Sequence, residues 1–197
     1  MVTRGNIFMA SMLAMAAVGA LAVLALSGCS GGPPSSLWTY TNPALKFALN
    51  EPPGWTLRET TGSVTVMMTG PAALGGGRPT ANVVVEPTIE TLDAYVERNV
   101  QTMQEAYKIR GFKVISRESR LVHDARPERE ARGIVLTLEE SVLGDEAAPR
   151  TVRQRQLYAV VGGRAYTLTV TATPDTFAEC EPAFTALFGS FTVGYGE

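Results

Sequence analysis

The sequence predicts a mixed α/β (α+β) domain, and three observations carry that reading. Short segments alternate apolar and polar residues, two stretches place apolar residues at helical spacing, and Gly162-Gly163 sits between two alternating runs as a hairpin turn. The chain has 197 residues, 45% of them hydrophobic. The part that follows the N-terminal segment is long enough for one core of ordinary size. One folded domain, residues 37–197, is therefore expected.

The first 28 residues stand apart from that domain. Arg4 and the α-amino group precede an apolar run over residues 7–26, broken only by Ser11 and Gly19. A run of about 20 apolar residues is long enough to span a bilayer, so an uncleaved anchor is one reading. Leu26-Ser27-Gly28-Cys29 favours the other, because a leucine, two small residues and a cysteine at this place resemble the bacterial lipoprotein signal, the lipobox. That resemblance implies cleavage before Cys29 and lipid attachment to its thiol. Two or three acyl chains, at about 0.8 kcal/mol per buried CH₂, would hold the protein firmly in a bilayer. Residues 29–36 then form a lipidated cysteine and a Gly/Pro/Ser tether, whose seven residues after Cys29 reach at most about 25 Å. The expected location is the extracytoplasmic face of a bacterial cell envelope.

Charge and cysteine content narrow the function classes. There are 17 Lys and Arg against 19 Asp and Glu, and removing residues 1–28 takes away only Arg4. No basic face is concentrated enough to read as a nucleic-acid footprint. With Cys29 taken by lipid, Cys180 has no partner for an intramolecular disulfide, and the core must hold the fold.

The first predicted strands cover residues 37–42 and 45–49, with Leu45, Phe47 and Leu49 on one face. Pro52-Pro53-Gly54 forces a turn, and Trp55 opens the next extended segment as a core plug. Residues 63–68 and 81–86 read as a strand pair. Their connection contains Leu74 and Gly75-Gly76-Gly77, which lacks the Lys-Ser/Thr of a phosphate cradle and reads as a hairpin loop. Leu74 at its tip is a weak candidate for contact with a partner or the bilayer.

Thr91 caps a helix whose Leu92, Tyr95, Val96, Val100, Met103 and Tyr107 form one apolar stripe. Lys108 and Arg110 suit its C-terminal end, and Gly111 supplies the stop. Residues 112–122 form a strand with a polar middle, the mark of an edge or a bulge. His123, the only histidine, falls in the following turn beside Asp124. No nucleophile or metal-ligand motif accompanies it, so no catalytic residue, metal or cofactor is expected.

Residues 131–142 form the next strand, and residues 152–161 and 164–172 flank the Gly162-Gly163 turn. This register sets Ala159 opposite Tyr166, Leu157 opposite Leu168 and Arg155 opposite Val170. The other side, with Gln154, Gln156, Tyr158, Thr167, Thr169 and Thr171, reads as a solvated face. Arg153 and Arg155 are misfits on the apolar side and require partners. Glu139 or Glu140 on the preceding strand would serve, and the two arginines are also weak candidates for an anion-binding rim. A last helix opens at Thr173-Pro174, buries Cys180 on its stripe, is kinked or split by Pro182, and stops at Gly189 before a closing strand.

Several fragments together resemble the PsbP/Mog1/DcrB-like superfamily. They are the strand leading into Pro53-Gly54-Trp55, the run Asn82-Val83-Val84-Val85-Glu86-Pro87-Thr88 before the long helix, and the glycine hairpin followed by a Phe-rich helix and Ser190-Phe191-Thr192-Val193. The resemblance implies an antiparallel sheet of about six or seven strands flanked by helices on both faces, an α-β-α sandwich. It also implies an accessory or scaffold role rather than catalysis. The expected function is thus a membrane-anchored, non-enzymatic lipoprotein that binds an envelope protein. The alternative is a small-molecule or lipid carrier using a gap between the sheet and the long helix.

Overall fold

Gly162 and Gly163, at φ 57° and 74°, turn the chain through the two-residue loop that joins two of its strands. In the computed structural model, which describes residues 39–73, 77–106, 111–124, 130–143 and 149–194, these strands are β8 (Pro149–Val161) and β9 (Arg164–Ala172). The register matches expectation at every position, Ala159 facing Tyr166, Leu157 facing Leu168 and Arg155 facing Val170.

The remaining elements are β1 (Thr39–Asn42), β2 (Phe47–Asn50), β3 (Thr56–Glu59), β4 (Val64–Thr69), β5 (Thr80–Pro87), α1 (Leu92–Ala106), β6 (Lys113–Asp124), β7 (Glu130–Leu143), α2 (Pro174–Ser190) and β10 (Thr192–Val193). Among the described residues all the strands join one ten-stranded sheet in the order β1-β2-β10-β6-β7-β8-β9-β5-β4-β3. Among these described pairings only β10–β6 is parallel. The six or seven strands that the resemblance implies are corrected to ten among the described residues, because the short segments β1, β2, β3 and β10, each read as extended from its own residues, all find ladder partners.

The sheet curls. Strands β1 and β3 are its two ends, yet the Tyr40 hydroxyl on β1 donates to Glu59 Oε1 on β3 at 2.7 Å. Inside the curl lies the main core, where Phe177, Phe184, Leu187 and Phe188 of α2 meet Phe47, Trp55, Met68, Leu157 and Leu168. Trp55 is the expected plug, its ring edge-on to Phe184 at 6.2 Å. Gly133 on β7 is needed for this packing, since a Cβ there would lie 2.6 Å from Val122 Cγ2. Pro182 does not split α2, which runs unbroken from Pro174 to Ser190. Pro182 and Ala178, whose carbonyl loses its helical donor, are both exposed, so water can satisfy that carbonyl. The helix also runs past Gly189.

On the other side of the sheet, Tyr95, Val96 and Met103 of α1 pack on Ile134, Leu136, Leu138 and Tyr158. The sandwich expectation is corrected here as well. The sheet dominates the fold, with α2 held in its curl and α1 resting on a limited part of the outer face, rather than helical layers covering both faces. The Thr91 cap is present, its Oγ1 accepting from Ala94 N at 3.3 Å. Lys108, Arg110 and Tyr107 lie outside the described residues.

The face expected to be solvated is buried. Glu140, Gln154, Gln156, Thr169 and Thr171 are all less than a tenth exposed. Gln154 donates to Glu140 at 2.8 Å, Gln156 to Gln154 at 2.8 Å, and the Tyr158 hydroxyl to Gln156. Burial pushes the Tyr158 phenol well above its usual range and Tyr95 up to about 12. Alternation assigns residues to sides of a sheet, but it does not say which side another element covers.

Candidate interaction groove

Arg153 and Arg155 project from β8 to the same side as Leu157, toward α2. Their partners differ. Arg153 Nη2 meets Glu139 Oε1 of β7 at 2.5 Å, as the strand register predicts. Arg155 Nη1 instead meets Glu181 Oε1 of α2 at 2.5 Å. Both guanidinium groups also lie against the Phe177 ring, at 5.7 Å and 5.3 Å from its centre. Neither is buried unpaired.

The Arg155–Glu181 pair divides a groove between α2 and the sheet. On one side a cleft of about 470 Å³ is lined by Glu118, Ser119 and Arg120 of β6 together with Thr185 and Phe188 of α2. On the other a cleft of about 380 Å³ is bounded by Ile115, Thr137, Arg153 and Phe177. Acid, base and hydroxyl groups dominate the first cleft, and Val135 and Phe188 are its apolar members. The groove can offer hydrogen bonds and charges of both signs to a ligand.

The strand β6 forms its outer wall in an unusual way. It pairs with β7 over nearly its whole length, with a bulge between Val114 and Ser116. On its other side β10 reaches only His123 and Asp124. His123 is therefore a strand residue, not a turn residue. Of the edge and the bulge that the polar middle of β6 suggests as alternatives, the edge falls on residues 116–119, unpaired on one side among the described residues, and the bulge lies just before them.

The helix α1, by contrast, is fastened to the sheet by charges outside the groove. Arg132 of β7 and Arg117 of β6 both meet Asp93, at 2.6 Å and 3.1 Å, and Arg98 meets Glu86 of β5 at 3.5 Å as well as Glu90, in the turn before the helix, at 2.9 Å. The hydrogen bond from Arg132 holds the Asp93 carboxyl below the usual carboxylate range, and that from Arg98 does the same for Glu90. The gap envisaged beneath the long helix is occupied by Tyr95, Val96, Val100 and Met103.

Of the residues singled out from sequence, Arg153 and Arg155 come together, whereas Leu26, Ser27, Gly28, Cys29 and Leu74 lie outside the described residues. Glu181, Glu118 and Arg120 were missed as groove members. The spacing of Glu181, Thr185 and Phe188 on α2 gives the available signal, a polar margin beside the apolar stripe. Among the described residues no group of three His, Cys, Asp or Glu side chains is placed to hold a metal, and no helix is long and apolar enough to cross a membrane.

No protein-family model and no curated protein matches the chain. Among solved structures it is similar to the cyanobacterial PsbP, CyanoP, of Synechocystis sp. PCC 6803. The TM-score is 0.58 at 17% identity, covering 85% of this chain and 98% of that one. A protein of unknown function from Pseudomonas aeruginosa, PA94, described as a putative regulator, gives TM-score 0.48 and 18% identity over 70% of this chain and 85% of its own. LpqN of Mycobacterium tuberculosis, described as involved in cell envelope biogenesis, gives 0.47 and 18% over 83% and 87%. The likeness to CyanoP establishes a PsbP-type fold, the fold that the sequence fragments resemble.

Proposed function

We propose that the chain is a non-enzymatic accessory module of the bacterial cell envelope, lipid-anchored through Cys29, that binds another envelope protein. The groove between α2 and β6 carries this reading. Small-molecule sites are mainly apolar and enclose their ligand. This groove instead presents Glu118, Arg120, Arg155 and Glu181 around a small apolar floor, a lining suited to the polar surface of a protein. The lipobox supports the location, and the short tether would keep the domain within a few nanometres of the bilayer.

Crosslinking of intact membranes, followed by purification of the protein, tests the role. A stoichiometric protein partner whose yield falls with Arg155→Glu is the expected result. A tightly bound lipid or metabolite seen by native mass spectrometry, with no protein partner, would favour the carrier reading. Anchoring is tested separately, since Cys29→Ala should accumulate as uncleaved precursor, and normal processing of that variant would exclude lipidation.

A further inference from the structure

The longest free strand edge in the described sheet belongs to β6. Its two ladder neighbours are β7, paired from Lys113 to His123, and β10, paired only at His123 and Asp124. Among the described residues no strand pairs with the outer edge of residues 113–122. Native proteins usually blunt or cover such an edge, because its backbone N–H and C=O groups are a template for another strand.

Two further observations fall on the same stretch. Of the exposed large hydrophobic residues Ile89, Val114, Ile115 and Leu121, three belong to it. Glu118 and Arg120 share the face that looks into the groove, as their partners Val135 and Gly133 show, and neither forms an ion pair among the described residues. The edge therefore lies beside a helix-lined trough, an arrangement that suits recognition of extended peptides by strand addition.

We propose that an extended segment of a partner protein adds to the sheet along β6, carrying an acidic and a basic side chain two positions apart to meet Arg120 and Glu118. The main chain of the segment pairs with the free edge, and its alternate side chains enter the trough above Thr185 and Phe188. A second copy of the whole domain does not fit this role. The β1–β2–β10 wing continues the ladder at the end of the same edge, so a second broad sheet would have to share that side of β6 with it. A single strand fits beside it. This inference rests on the protein-binding role proposed above and supplies its docking surface and the chemistry of the partner.

The test uses the full chain in detergent and three capped synthetic peptides with a common Val/Thr strand-forming framework. One carries Asp and Lys two residues apart, one carries two Asp, and one carries two Lys. For the wild type the mixed peptide should bind at least about threefold more tightly than either like-charged peptide. It should also slow amide exchange along residues 113–122. Glu118→Arg should move the preference to the doubly acidic peptide. The inference is overturned if no peptide binds at millimolar concentration, if both proteins share one preference, or if protection appears away from β6. Recovery of the same membrane partner by wild type and Glu118→Arg would overturn the edge site and leave the accessory role standing. Charge-selective peptide binding with no membrane partner would uphold the edge and remove that role.

Discussion

Gln156 shows how much a single polar side chain does on the covered face of the sheet. It accepts from the Tyr158 hydroxyl and donates to Gln154, which in turn donates to Glu140. Gln156→Leu would strand the Tyr158 hydroxyl and the Gln154 carbonyl together, and should cost about 2–4 kcal/mol in denaturant unfolding, against about 1 kcal/mol for Tyr158→Phe. Gly133→Ala should cost about 1–3 kcal/mol, because the new methyl meets Val122 and Leu157 in a filled core. The sequence made part of this legible. The hairpin register placed Arg153 and Arg155 among apolar residues and so demanded partners for them. Glu139 was foreseeable as a cross-strand neighbour, but Glu181 was not, since only tertiary packing brings α2 over β8. For the same reason the glutamines looked solvated until α1 covered them.

At the level of elements, the two helices are held in different ways. The helix α2 is gripped by the core inside the curl and tolerates Pro182 because the affected turn faces water. Replacing that proline with alanine restores a backbone donor in a helix already formed, and Pro182→Ala should raise stability by about 1–3 kcal/mol in thermal or denaturant melts. The helix α1 depends more on charges at its N-terminal half. The folded-state carboxyls of Asp93 and Glu90 lie below their ordinary values, so the unfolded chain takes up protons first as pH falls. Their contribution is complete above the ordinary carboxylate value of about 4 and is lost as pH drops through the lower folded values. Protection factors for α1 amides, corrected for intrinsic exchange, should therefore fall ahead of those in β8 and β9 below about pH 4. Both helices were legible from their apolar spacing, while the continuity of α2 was not, because a proline in sequence does not reveal whether its turn is exposed.

For the molecule as a whole, local signals located nearly every strand but not how the strands close. Hairpins β3–β4, β4–β5, β6–β7 and β8–β9 join neighbours in sequence. The pairing of β5 with β9 and the insertion of β10 between β2 and β6 join distant segments, and no periodicity encodes that choice. Among the described residues the β1–β2 wing reaches the rest of the ladder only through Thr192 and Val193. Val193 is fully buried there, so Val193→Asp should release the wing, exposing Phe47 and Leu49 to limited proteolysis before β8 and β9 are lost.

That two-residue strand also sets a timetable. A polypeptide delivered from its N-terminus, whether by a ribosome or through a narrow channel, presents residues 39–50 long before their ladder partner at residues 192 and 193. Until those two residues emerge, the first hairpin lacks its described partner in the sheet, and that join must wait for a segment more than a hundred residues downstream. Late closure of this kind makes the first hairpin to be delivered among the last to be locked into the sheet.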